Sequence, residues 1–116
     1  MRVGIDVDGT ITRLPWFFHL ITEALVAKGH KVHIITYRPP ELKEYTVKQL
    51  RLWRIKYDKL HISDQKLLAP EWKRNVVKEE QIDLMIEDDV DVLLALPKGV
   101  KVMLVVGARE DDEDDA

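Results

Sequence analysis

The sequence predicts an α/β fold, a three-layer open sheet of about five mainly parallel strands flanked by helices. Three observations carry the prediction. Five short stretches rich in Val and Ile recur along the chain, and longer segments with helical spacing separate them. Each apolar stretch is also nearly continuous rather than alternating, which suits strands covered on both faces. Repeated alternation of strand and helix builds parallel units with right-handed crossovers, a Rossmann-like arrangement.

The elements follow in chain order. Strands are expected at RVGIDV (2–7), KVHIIT (31–36), KLHIS (59–63), IDLMIE (82–87) and VKVMLVV (100–106). A first helix runs from Pro15 to Lys28 and stops at Gly29, as helices commonly do. A second, Glu41 to Lys56, sets Leu42, Tyr45, Leu52 and Trp53 along one face. The third, Pro70 to Glu80, opens on a proline suited to the first turn, and a short fourth, Val90 to Leu96, is closed by Pro97 and Gly99. Residues 1–109 thus make one domain. The tail EDDEDDA (110–116) holds six of the chain's 21 acids and no base, a self-repelling block expected to stay solvated and disordered.

Composition narrows the function classes. The 116 residues are 46% hydrophobic and 34% charged, enough for one core under a well-solvated surface. A net charge of −3 argues against a general nucleic-acid binder, which usually carries a basic stripe. There is no cysteine for a disulfide or a thiolate metal site. No leader-like N-terminal pattern or membrane-length apolar run is present, so the expectation is a cytoplasmic protein without a membrane partner.

In open α/β sheets the site lies at the carboxyl ends of the strands. The first strand delivers Asp6 and Asp8 there, two carboxylates two residues apart, which strand periodicity points to the same side. The second delivers Thr36 with Arg38 close behind, and the fourth delivers Glu87, Asp88 and Asp89. Five acids at one edge call for a cation. Oxygen ligands favour Mg²⁺, which bridges carboxylates to phosphate oxygens, and the few histidines argue against zinc at this edge. Lys73 falls in the opening turns of the third helix, where its charge opposes the macrodipole, a broken local rule of the kind found at functional sites.

These stretches resemble the four motifs of the haloacid dehalogenase (HAD) superfamily: DVDGT (6–10), IIT ending at Thr36, Lys73 opening a helix, and IEDD (86–89). They run in the superfamily's order and span nearly the whole chain except the tail. The resemblance implies an HAD-like fold and a capless, Mg²⁺-dependent phosphatase. Asp6 would be the nucleophile that becomes an aspartyl-phosphate, and Asp8 the general acid and then base. The Asp6 carboxylate, the Asp8 backbone carbonyl and Asp88 would hold Mg²⁺, with Glu87 or Asp89 as alternatives because the fourth motif reads EDD. Thr36 and Lys73 would hold the phosphoryl group. Asp8 separates this pattern from the dehalogenases, which lack an acid there.

No segment leaves room for a cap domain, so the site is expected to be open, serving a large substrate or covered by a second subunit of a homo-oligomer. LPWFFHL (14–20) reads as a helix face on the sheet, or else as a lid, an oligomer contact or a substrate wall. Arg38 reads equally as a ligand for a substrate anion or as a surface arginine. Asp91 reads as a helix N-terminal charge, or else as an acid supporting the metal ligands. His30 and His33 read as a turn and a sheet residue, and His19 and His61 have no partner in sequence. A phosphotransferase of the same family, or a catalytically silent binding or assembly domain, are the alternative functions. A response-regulator receiver fails because its Asp, Thr and Lys would come in a different strand order.

Overall fold

The computed structural model describes residues 1–107. The acidic tail at 110–116, with the last two residues of the expected 1–109 domain, lies outside them. Five strands, β1 (Arg2–Ile5), β2 (Lys31–Thr36), β3 (Lys59–Ile62), β4 (Leu84–Glu87) and β5 (Lys101–Leu104), form one sheet in the order β3-β2-β1-β4-β5. Every pairing is parallel. Among the described residues the α-helices are α1 (Pro15–Ala27), α2 (Lys43–Leu52), α3 (Ala69–Glu79) and α4 (Val90–Ala95).

Strand order explains the layers. From β1 the chain steps outward through α1 and α2 to β3, then returns through α3 to the far side of β1. The direction of winding therefore reverses between β1 and β4, and the carboxyl ends of those two strands form the crevice where such sheets place ligands. One core cluster joins Val3, Ile5, Val32, Ile34 and Ile86 to Phe18 of α1 and Leu50 of α2. The other joins Ile35, Met85 and Ile82 to Val77 of α3. Helices on both faces of the sheet make the three layers.

Four expectations are corrected. The first strand stops at Ile5 rather than Val7, because residues 7–11 coil into a tight turn with Gly9 at φ +82°. In α2 the buried positions are Thr46 and Leu50, whereas Leu42, Tyr45 and Leu52 are exposed. Thr46 tolerates burial because its hydroxyl donates to the Leu42 carbonyl and accepts from Arg38. The continuous apolar run of β5 is not doubly covered: it lies at the sheet edge, and Val102, Met103 and Leu104 are all exposed. In the run 14–20, Phe18 alone enters the core, while Trp16, Phe17 and Leu20 face solvent.

Candidate active site

The turn after β1 builds the centre of the site. Asp6 is extended (φ −75°, ψ 159°) and its N–H still donates to the Ile86 carbonyl at 3.0 Å, so it stays tied to β4 after the strand has ended. Its side chain is buried, 5% exposed. Thr10 Oγ1 donates to Asp6 Oδ2 at 3.1 Å, and Lys73 Nζ donates to Asp6 Oδ1 at 2.7 Å. Lys73 is itself 3% exposed and also reaches Glu87 Oε1 at 2.6 Å. A lysine in the second turn of α3 thus crosses the crevice and joins β1 to β4. Burial works to lower its pKa, but Asp6 and Glu87 outweigh that, and the net shift is upward.

Asp8 does not share a face with Asp6, as strand periodicity predicts. The turn swings it outward, with its side chain 64% exposed, onto Arg38. Two parallel bonds, Arg38 Nε to Oδ2 at 3.0 Å and Nη2 to Oδ1 at 2.9 Å, make a bidentate pair. Each aspartate therefore has its own cation. Arg38 is no surface arginine: its guanidinium is buried, bonds Thr46 Oγ1 at 2.9 Å and Gln49 Oε1 at 2.5 Å, and lies 5.6 Å from the Tyr45 ring centre. Hydrogen bonding to Arg38 holds the Asp8 carboxyl below its usual range.

The remaining acids separate by role. Asp6, Glu87 and Asp88 bring one oxygen each within 4.8 Å of one another. Burial first, then Asp6, pushes Glu87 up to about 9 despite Lys73, and the same two causes raise Asp88. Asp89 is instead the N-cap of α4, accepting the Asp91 N–H at 2.9 Å; Asp91 sits in that helix's first turn. Gly9 presses against Asp88, since a β-carbon there would lie 2.1 Å from Asp88 Oδ2. Thr36 ends β2 fully buried, its hydroxyl accepting the Arg38 N–H at 3.3 Å. It stands at the neighbouring strand end and does not line the cleft.

Over Asp6 and Asp8 lies an open cleft of about 710 Å³, lined on its outer side by Tyr37, Arg38, Pro39, Leu42, Tyr45 and Gln49. The donor set fits a hard divalent cation: the three carboxyls of Asp6, Glu87 and Asp88 converge, and Lys73 bonds two of them, Asp6 and Glu87. Thr10, Thr46 and Gln49 were not singled out from sequence. Thr10 lies inside the quoted DVDGT, four residues after Asp6, whereas Thr46 and Gln49 carry no signal beyond being polar on a helix.

No protein-family model matches the chain, and no curated protein matches it. Solved structures do. A chain of a Pnkp1/Rnl/Hen1 complex superposes with a TM-score of 0.74 at 18% identity, over 90% of this chain and 45% of that one. A universal stress protein in complex with cAMP gives 0.63 at 12% identity, over 91% of this chain and 96% of that one. A universal stress protein from Archaeoglobus fulgidus gives 0.59 at 15% identity, over 88% and 92%. The chain spans under half the length of the first of these. At such identities the likeness defines the class of fold, a parallel open α/β sheet, and extends no further.

Proposed function

We propose that the protein is a phosphomonoester hydrolase of HAD type that requires a divalent cation, Mg²⁺ by its donor chemistry, and works through an aspartyl-phosphate on Asp6. The observation that carries this reading is the convergence of Asp6, Lys73, Glu87 and Asp88 at the β1/β4 crevice under an open cleft. Asp6, Asp88 and the Asp8 backbone carbonyl would hold the cation, which when bound supplies charge to offset phosphoryl oxygens.

The protein's own groups divide the work. Asp6 attacks phosphorus and the bond to the leaving oxygen breaks, leaving the phosphoryl group on Asp6. Lys73 holds Asp6 in position through a bond of 2.7 Å. As found, Asp8 is held as a carboxylate by Arg38, which suits a base and not an acid. A phosphate competes for the same guanidinium, so substrate binding to Arg38 releases Asp8 to take a proton from solvent and give it to the leaving oxygen, which returns Asp8 to the carboxylate. Asp8 then takes a proton from the water that cleaves the aspartyl-phosphate.

An uncapped cleft with Tyr37 and Tyr45 on its wall admits a large substrate as readily as a small one. The likeness in fold to a chain of the Pnkp1/Rnl/Hen1 RNA repair complex makes a phosphorylated RNA end worth including among the substrates tried. The test is hydrolysis of an aryl phosphate with Mg²⁺ and with EDTA, by wild type and by Asp6→Asn. Turnover that needs Mg²⁺ and is lost in the variant supports the reading. Turnover retained by folded Asp6→Asn removes it.

A further inference from the structure

A second set of potential ligands lies at the opposite end of α3, away from the crevice. β2 and β3 pair in parallel with His33 opposite Lys59 and Ile35 opposite His61, which makes His33 and His61 diagonal neighbours on one face of the sheet. Their rings are parallel within 1°, with centres 5.3 Å apart and His33 Nδ1 facing His61 Nε2 at 3.0 Å. Two ring nitrogens so placed share one hydrogen. Glu80, the residue that caps α3, brings Oε1 to 3.9 Å from His61 Nε2, and one ligand atom from each of the three residues lies within 4.8 Å of the others.

We propose that His33, His61 and Glu80 form a binding site for a borderline transition-metal ion, Zn²⁺ or its analogue Co²⁺, distinct from the carboxylate site at the crevice. Two imidazoles and one carboxylate are a recognised zinc donor set that leaves a position open for water. Zn–N bonds of about 2.0–2.1 Å in a tetrahedron set ligand atoms about 3.3–3.4 Å apart, so the observed 3.0 and 3.9 Å need only small side-chain turns. Nitrogen donors select such an ion over Mg²⁺, the reverse of the crevice.

Three further features support the site. The nearby cations are already engaged: Lys59 with Glu80 Oε2 at 3.2 Å, Lys31 with Asp58 at 3.8 Å, and Arg2 with Gln81 at 3.0 Å. None of them is paired with the imidazoles, and Glu80 Oε1 remains for a metal. His33 is 4% exposed and His61 side chain 17%, so the strands fix both rings before any ion arrives. Burial also lowers the pKa of both, which keeps them neutral and able to ligate at pH 7. Metal binding replaces the shared hydrogen: the ring that carries it moves that proton to its other nitrogen, and the neutral pair loses no net proton. An open pocket bordered by His33, Lys59, Glu80 and Gln81 gives the ion a way in.

Glu80 lies seven residues beyond Lys73, a rise of about 10 Å along the helix, so the two sites are separable by mutation. The experiment uses the untagged full chain carrying Asp88→Asn, which weakens the crevice as a competing site, and titrates Co²⁺ while following visible d–d absorption. The expected result is one Co²⁺ per chain with the intense band of a four-coordinate ion, displaced by Zn²⁺. His61→Gln and Glu80→Gln should each weaken binding by more than about tenfold, the scale on which even outer partners of ligands matter. In the wild type, Zn²⁺ should shift the ring NMR signals of His33 and His61 and leave those of His19 and His30 in place, which decides the matter even where a variant folds poorly. A featureless Co²⁺ titration, a band that survives His61→Gln, or ring shifts confined to other histidines would overturn the proposal. None of these outcomes bears on phosphatase activity, so the two readings fail separately.

Discussion

Lys73→Met removes the one ammonium that Asp6 and Glu87 share and leaves the shape of the side chain nearly intact. With Nζ gone, the buried Asp6 loses its ion pair, and Glu87, protonated below about 9, offers no cation in its place. Breaking a buried ion pair by deleting one partner costs about 3–5 kcal/mol. Urea unfolding in EDTA at pH 7 is the assay. With slopes of about 1–3 kcal/mol/M for domains of this size, the midpoint should fall by roughly 2 M. Glu87→Gln in the same background should return little of the loss, since folded Glu87 already carries a proton at pH 7. A Lys73→Met variant within about 1 kcal/mol of wild type, or near-full recovery on adding Glu87→Gln, would refute the ion-pair account of the crevice.

The other predictions concern pH, the turn and Arg38. Glu87 binds its proton more tightly when folded, at about 9, than when unfolded, near its ordinary 4.5, so the folded protein holds an extra proton between those values. Stability of metal-free protein should therefore fall as pH rises from 7 to 9, by up to about 1.4 kcal/mol per pH unit, and Glu87→Gln should flatten that slope in urea melts. The lowered His33 and His61 act in the opposite sense and below pH 6.5, and the raised Lys73 acts above 10.5, so both lie outside this window. Gly9→Ala forces a side chain to φ +82° and into Asp88. It should cost at least about 1–2 kcal/mol in thermal or urea unfolding and weaken Mg²⁺ binding by calorimetry. Arg38→Ala should raise KM for a phosphate ester by about 10- to 100-fold, the worth of a charge-assisted bidentate contact, and shift any acidic limb due to Asp8 to higher pH in the rate profile.

The order of strands and helices was legible because most strands are compact Val/Ile runs and the first and fourth helices end in clear stops. Thr36 closing β2 and Lys73 near the start of α3 follow from that order alone. Less legible was what tertiary packing decides. Nothing local tells that β1 ends at Ile5, because Asp6 remains extended and hydrogen-bonded to Ile86 while the turn begins behind it. The polar Thr46 on the buried face of α2 depends on Arg38, eight residues away, and the exposure of β5 depends on its place at the sheet edge. His33 and His61 meet through the register of two strands 28 residues apart, which no spacing rule within one strand can show. The acidic pair of the first motif was expected on one face of the strand; the structure sets Asp6 beside Lys73 and Asp8 beside Arg38.

The central claim is that Asp6 becomes phosphorylated. Its most direct test is to quench the Mg²⁺-loaded protein in acid during turnover of a phosphate ester, reduce with borohydride, and map the product by mass spectrometry. An aspartyl-phosphate is converted to homoserine, and the account predicts that conversion at position 6, with more of it when Asp8→Asn slows hydrolysis of the intermediate. Turnover without conversion at Asp6, or conversion at Asp8 or Asp88 instead, would contradict it.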